Sequence, residues 1–297
     1  MSEEKFWVEY YRLCKPRVVA LIVFTAVVGM FLATPGMVPL DILIFASLGI
    51  GLSAASGAAF NHIIDQRIDA LMARTRSRPL PKGKLSTARA VIFASGLSLL
   101  SMAILLLQVN QLTAWLTLAS MVGYAVIYTV FLKRATPQNI VIGGAAGAMP
   151  PVLGWTAVTN SVEGNALLLF LIIFVWTPPH FWALAIHRRK DYAKADIPML
   201  PVTHGDSFTR LQILLYTILL LVVSVLPFVT GMSGPIYLGG AVFFGIGFMA
   251  NSLRLFYNRD ENRLPMQTFN FSLYYLAGIF AVLLLDHYIP RGIAQAV

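Results

Sequence analysis

Asn61, Asp65 and Asp69 stand four residues apart each time in Asn61-His62-Ile63-Ile64-Asp65-Gln66-Arg67-Ile68-Asp69. On a helix, residues at i, i+4 and i+8 share one face and drift by about 40° per step. Three oxygen side chains therefore line up. Like charges at that spacing are mildly destabilising on a bare helix, and a cation among them reverses the sign. All-oxygen ligands suit Mg²⁺ or Ca²⁺ rather than zinc. A solvated helix end, neutralised by Arg67 and Arg74, is the plainer alternative.

The chain continues Arg74-Thr75-Arg76-Ser77-Arg78-Pro79-Leu80-Pro81-Lys82-Gly83-Lys84, a dense basic run directly after the acids. Acids beside cations suit a polyphosphate. A bare carboxylate repels one, at a cost of about 4 kcal/mol for a like-charge pair 4 Å apart at an effective dielectric of 20. A bridging divalent ion removes that repulsion, and Arg and Lys cover the remaining oxygens. A second acidic stretch holds Asp191, Asp196 and Asp206.

These side chains must be positioned by membrane helices. Of 297 residues, 58% are hydrophobic and 12% charged. A soluble domain carries about twice that share of charge, which excludes a water-soluble globule and a disordered chain. Long unbroken apolar runs favour helices over a β-barrel. The single cysteine, Cys14, excludes an intramolecular disulfide and a cysteine-built zinc site. At about 20 apolar residues per span, the expectation is nine helices near 18–34, 40–61, 88–108, 112–132, 139–157, 165–187, 211–231, 235–256 and 270–289. The fifth is weakest, since it carries Gly143, Gly144, Gly147, Pro150, Pro151 and Gly154.

Every Lys and Arg except Arg291 falls in or beside the N-terminal tail and the loops after spans two, four, six and eight. The positive-inside rule makes that side cytoplasmic, with the N-terminus inside and the C-terminus outside. Topology thus accounts for most of the net charge of +9 without nucleic acid. The start Ser2-Glu3-Glu4-Lys5 lacks the marks of a transit or signal peptide. The expected fold is one all-α, polytopic domain over 1–297. It comprises two four-helix halves, about 18–132 and 139–256, and a ninth helix at about 270–289.

The stretch Asn61-x3-Asp65-x3-Asp69-x2-Met72-x-Arg74-Thr75-x2-Arg78-Pro79-Leu80 resembles the first aspartate-rich motif of the UbiA superfamily of intramembrane prenyltransferases. Its second half is similar to the branch that farnesylates protohaem IX. Three further stretches resemble that branch: Tyr124-x3-Tyr128-Thr129-x2-Leu132-Lys133-Arg134-x-Thr136-x2-Asn139-Ile140-Val141-Ile142-Gly143-Gly144, Thr177-Pro178-Pro179-His180-Phe181-Trp182-Ala183-Leu184-Ala185-Ile186, and Asp191-Tyr192-x2-Ala195-x-Ile197-Pro198-Met199-Leu200-Pro201-Val202-x2-Gly205. Together they cover about residues 61 to 205. One departure is that Asp191 and Asp196 are five apart where the superfamily often has four. On a straight helix that separates them by about 140°.

The resemblance implies transfer of the farnesyl group of farnesyl diphosphate to a vinyl group of haem b, with water added, giving haem O and diphosphate. It implies Mg²⁺ held by Asn61, Asp65, Asp69 and Asp191, and diphosphate oxygens covered by Arg74, Arg78 and Lys133. It also implies a bacterial inner (plasma) membrane location and a terminal-oxidase assembly or haem A synthase partner for the product. Tyr124 and Tyr128 either stabilise an allylic cation through their faces or belong to the aromatic belt of the interface. His180, after Pro178-Pro179 and a kink expected there, either contacts haem or bonds a neighbouring helix. Phe181, Trp176 and Trp182 either line a cavity or face lipid. His62 and His204 lie near the acidic loops, His187 reads as interfacial and His287 as structural. Three alternatives stay open: a related prenyltransferase with a quinone precursor or chlorin as acceptor, a cation-coupled transporter, and a haem-binding chaperone.

Overall fold

The structure, a computed structural model, describes residues 3–73, 75–258 and 261–289, with the side chains of 3–6 left aside. Among these residues there is helix and no strand. A short α1 (Glu3–Leu13) leads into α2 (Pro16–Leu32), α3 (Leu40–Ile64), α4 (Gln66–Leu71) and α5 (Thr87–Gln108). Next come α6 (Gln111–Ala135), α7 (Asn139–Thr159) and α8 (Gly164–His187). Short α9 (Arg189–Lys194) and α10 (Leu200–Thr203) precede α11 (Gly205–Val229), α12 (Pro235–Tyr257) and α13 (Leu264–Tyr288).

Eight of these helices are long and apolar enough to cross a bilayer alone. The ninth span is α2, which qualifies together with α1 across a 51° bend. Among the described residues there are thus eight candidate spans, or nine with the bent α1–α2 pair counted as one, near the places expected. Helix is the form that satisfies every backbone group inside a segment where no water is available. Local chemistry sets the ends. Proline opens α2, α12 and α13, where a missing N–H costs nothing. Ser86 and Asn110 cap α5 and α6 by accepting the backbone N–H of Arg89 and Thr113. Helix continues through Pro178–Pro179 in α8.

Helix α8 is the axis of the packing. Its Leu169, Ile172 and Trp176 are buried against Phe248, Tyr275 and Phe280 of α12 and α13. The weak fifth span is used for contact rather than propensity. A Cβ on Gly154 would lie 1.9 Å from the Ala26 carbonyl oxygen, and one on Gly29 would lie 2.3 Å from that of Pro151. Only glycine lets α2 and α7 cross so closely. The outside is apolar: Leu99, Leu107, Trp115, Phe243 and Ile246 are all exposed. That surface belongs against lipid.

Hydrogen bonds show which ends lie together. Asn110 donates to the Thr156 carbonyl, His287 meets the Thr34 carbonyl, and Asp286 accepts from Gly234 and Tyr237. At the opposite end, Lys15, Asn61, Lys133 and Tyr124 converge. The acids therefore sit at one mouth of the bundle, above an apolar interior.

Candidate active site at one mouth of the bundle

Asn61 lies in the last turn of α3, Asp65 at the joint with α4, and Asp69 within α4. The joint does not break the register. The Asp65 N–H donates to the Asn61 carbonyl at 3.0 Å, and the Asp69 N–H to the Asp65 carbonyl at 2.8 Å. The three side chains form a continuous ladder, and all three are buried.

Each rung is held by a donor from another segment. The Lys133 ammonium, from the end of α6, donates to Asp65 Oδ2 at 2.6 Å. Asn61 Nδ2 donates to the same oxygen at 2.9 Å and to Thr129 Oγ1 at 3.2 Å. Arg78, from the basic run, donates to Asp69 Oδ2 at 2.6 Å, and Thr75 donates to the Asp69 carbonyl. The second oxygen of Asp65, Oδ1, is buried with no hydrogen-bond partner. A buried unpartnered carboxylate oxygen is costly unless something binds it. With all-oxygen donors in the ladder, these residues fit a hard divalent cation.

Sequence reasoning missed Lys15. It has φ 49°, a left-handed conformation rare outside glycine and more unusual ahead of a proline, and it stands just before the first residue of α2. Its ammonium donates to Asn61 Oδ1 at 2.6 Å and reaches the Tyr124 hydroxyl at 3.5 Å. A backbone outlier feeding a charge into a site is a mark of function. The available signal was the Lys15-Pro16 pair at the entry to the first apolar run.

Tyr124 and Tyr128 lie in a π-helical stretch of α6, Gly123–Leu132, a form often found at functional sites. Their rings stack at 5.9 Å with planes 10° apart. Thr129 donates to the Tyr124 carbonyl five residues back. The Tyr128 ring has room because residue 143 is glycine; a Cβ there would lie 2.2 Å from it.

The second acidic stretch does not join the ladder. Asp191 is half-buried in α9, and its carboxylate faces Arg188 of its own segment at 3.9 Å. Asp206 pairs with Arg189 at 3.4 Å. Asp196 is exposed, with φ 51°, because the helix has ended before it. The straight-helix geometry expected for Asp191 and Asp196 therefore does not apply. Among the described residues no three His, Cys, Asp or Glu side chains converge to hold a metal. Asp65, Asp69 and Asp191 thus do not meet at one point. Arg74 lies outside the described residues.

His180 is buried within the bundle. Trp176 stacks on one side at 4.2 Å and Phe269 at 4.4 Å. Its Nδ1 meets Ser272 Oγ at 2.6 Å, while Ser272 donates to the Phe269 carbonyl. If Ser272 gives its hydroxyl proton to the Phe269 carbonyl, His180 Nδ1 carries the ring proton and Nε2 keeps a lone pair. Trp176 donates to the Ser272 carbonyl, Trp182 is fully buried against Tyr216, and Phe181 is exposed. His204 bonds Thr203, and His187 is exposed.

Comparison with known proteins agrees with this arrangement. Residues 22–275 match the UbiA prenyltransferase family. A "Protoheme IX farnesyltransferase" of Methylococcus capsulatus is 64% identical over 283 residues, covering 95% of each chain. One of Shewanella denitrificans is 61% identical over 97% of this chain and 96% of its own. Among solved structures, digeranylgeranylglyceryl phosphate synthase superposes with a TM-score of 0.79 at 17% identity, covering 95% of this chain and 99% of that one. A UbiA homologue from Archaeoglobus fulgidus, bound to DMAPP and Mg²⁺, gives 0.62 at 17% identity, covering 93% and 99%.

Proposed function

The chain belongs to the UbiA prenyltransferase family, and on that premise we propose that it farnesylates protohaem IX. It transfers the farnesyl group of farnesyl diphosphate to a vinyl group of haem b, with water added, giving haem O and diphosphate. The observation that carries this reading is 64% identity to a protoheme IX farnesyltransferase over 95% of both chains. The chain is a multi-pass membrane protein. The inner membrane is its proposed location, and a haem A synthase or terminal-oxidase assembly step its proposed consumer.

Asn61, Asp65 and Asp69 would hold Mg²⁺, and Asp65 Oδ1 is left without a hydrogen-bond partner for it. Asp191, which stands apart from these three, is assigned to metal binding from its place in the second acidic stretch. Such ions draw electron density from the departing diphosphate. Lys133 and Arg78 already stand on the acids and are poised to donate to diphosphate oxygens as well. Arg74 is assigned the same part from its place in the motif. Catalysis is then mainly electrostatic stabilisation of the leaving group. The carbon–oxygen bond breaks with its electron pair leaving on the diphosphate. The vinyl group attacks the allylic carbon, water captures the resulting cation, and a proton goes to solvent. No protein nucleophile is required. The stacked Tyr124 and Tyr128 present π-faces to the allylic cation. His180, with Nε2 unprotonated, is the proposed haem contact.

The test supplies purified protein with haem b, farnesyl diphosphate and Mg²⁺ and reads products by mass. Haem O is expected. Prenylation of a quinone precursor or a chlorin, with haem left untouched, would overturn the acceptor.

A further inference from the structure

Arg78 has two sides. One faces Asp69 in the ladder; the other lines a cleft of about 480 Å³. Five cations wall that cleft: Arg12, Lys15, Arg78, Lys82 and Lys84. They come from α1, the α1–α2 elbow and the loop before α5. Among the described residues no carboxylate lines it. Glu9 accepts from Arg12 at 3.3 Å and from Lys84 at 2.8 Å, and Asp69 accepts from Arg78. Lys82 has no acidic partner among the described residues, and Lys15 bonds a neutral amide oxygen. The walls therefore carry more positive charge than their partners cancel.

A second observation points to a ligand. His62 lines the same cleft, is 3% exposed, and has no hydrogen-bond partner at either ring nitrogen. Buried polar atoms are seldom left so. Excess cations with an unpartnered imidazole and no acid make a site for an anion rather than for a metal.

We infer that this cleft is a metal-independent site for the diphosphate anion set free by the reaction. The inference rests on the prenyltransferase reading above. Its geometry is that of an adjoining chamber: Lys15 touches Asn61 and lines the cleft, while Arg78 touches Asp69 and lines it too. An anion passing from ladder to cleft stays in contact with the same two cations. It exchanges divalent ions held by carboxylates for guanidinium and ammonium groups. Product can then leave while the carboxylate ladder keeps its ion.

The experiment is equilibrium binding of radiolabelled inorganic pyrophosphate to the full-length protein in EDTA. Wild type is expected to bind one equivalent without any divalent ion. The Asp65→Asn/Asp69→Asn variant should retain that binding. Arg12→Gln/Lys82→Gln replaces two exposed side chains, so its fold is kept, and it should bind about tenfold more weakly or worse, as the loss of charge-assisted hydrogen bonds requires. Absence of metal-free binding to wild type would overturn the inference, as would unchanged binding in Arg12→Gln/Lys82→Gln. A third arm adds phosphatidylglycerol nanodiscs. Complete displacement of pyrophosphate there would assign the cleft to a lipid phosphate and overturn the product site. Failure of haem farnesylation would leave every one of these readings intact, so the two ideas fail separately.

Discussion

Asp65 is where the proposed chemistry concentrates. One of its oxygens is held by Lys133 and Asn61, and the other is buried and free. Asp65→Asn keeps the size and most hydrogen bonding but removes the charge that a cation needs. Mg²⁺-dependent turnover should be abolished while the protein still inserts; full activity would remove the metal assignment. Lys133→Met makes the opposite change. It strands a carboxylate whose side chain is 2% exposed, losing a partner that is itself 13% exposed. Breaking one side of a buried pair costs about 3 kcal/mol. Thermal unfolding in detergent should show that loss for Lys133→Met and a smaller one for Asp65→Asn, whose amide oxygen can still accept from a Lys133 ammonium that is the more exposed of the two partners. Equal stability of Lys133→Met and wild type would mean that water already reaches Asp65. The ladder was legible in the sequence because backbone bonds keep one register through the α3–α4 joint. Lys15 was not, because no spacing rule links residue 15 to residue 61. That contact depends on a left-handed residue ahead of Pro16.

At the scale of the element, α6 decides whether Tyr124, Thr129 and Lys133 face the ladder together. In an α-helix each residue advances about 100°, and a π-helical stretch advances less. The stretch Gly123–Leu132 thus sets the rotation between the tyrosine pair and Lys133. Deleting Val126, a residue exposed on the outer face, would turn everything beyond it by one residue's advance, just under about 100°, if the rest of the stretch kept its winding. Lys133 would leave Asp65. Turnover should fall about 100-fold or more, the scale of a small misplacement at a reacting centre, with insertion unchanged. Retained activity would show that the π stretch is incidental. Here the sequence was readable only in part. Span ends followed from the length of each apolar run, so Gln111–Ala135 was expected near 112–132. The i→i+5 bonding inside it leaves no mark on composition. The second acidic stretch misled for a related reason: a helix that stops at Lys194 cannot carry a helical argument to Asp196.

For the whole molecule, the open question of physical consequence is which mouth faces the cytoplasm. Farnesyl diphosphate has a polyanionic head that does not cross a bilayer, so the ladder must open on the side where that head is found. The basic residues lie at the ladder mouth: Arg12, Lys15, Arg78, Lys82 and Lys84 wall the cleft, and Lys133 and Arg188 end α6 and α8. The far mouth carries neutral loops such as that of Thr34 and Met37 between α2 and α3. By the positive-inside rule we propose that the ladder, the cleft and α1 face the cytoplasm. Cys14 is the one cysteine, so a Cys14→Ser background has none. In that background, Met37→Cys, at a side chain 70% exposed, should react with a membrane-impermeant maleimide added to intact spheroplasts. Lys82→Cys should react only once the membrane is opened. The reverse pattern would turn the ladder outward and separate it from a cytoplasmic prenyl donor. No change at a single residue could mend that, because the two mouths are opposite ends of one packed bundle and turn over together.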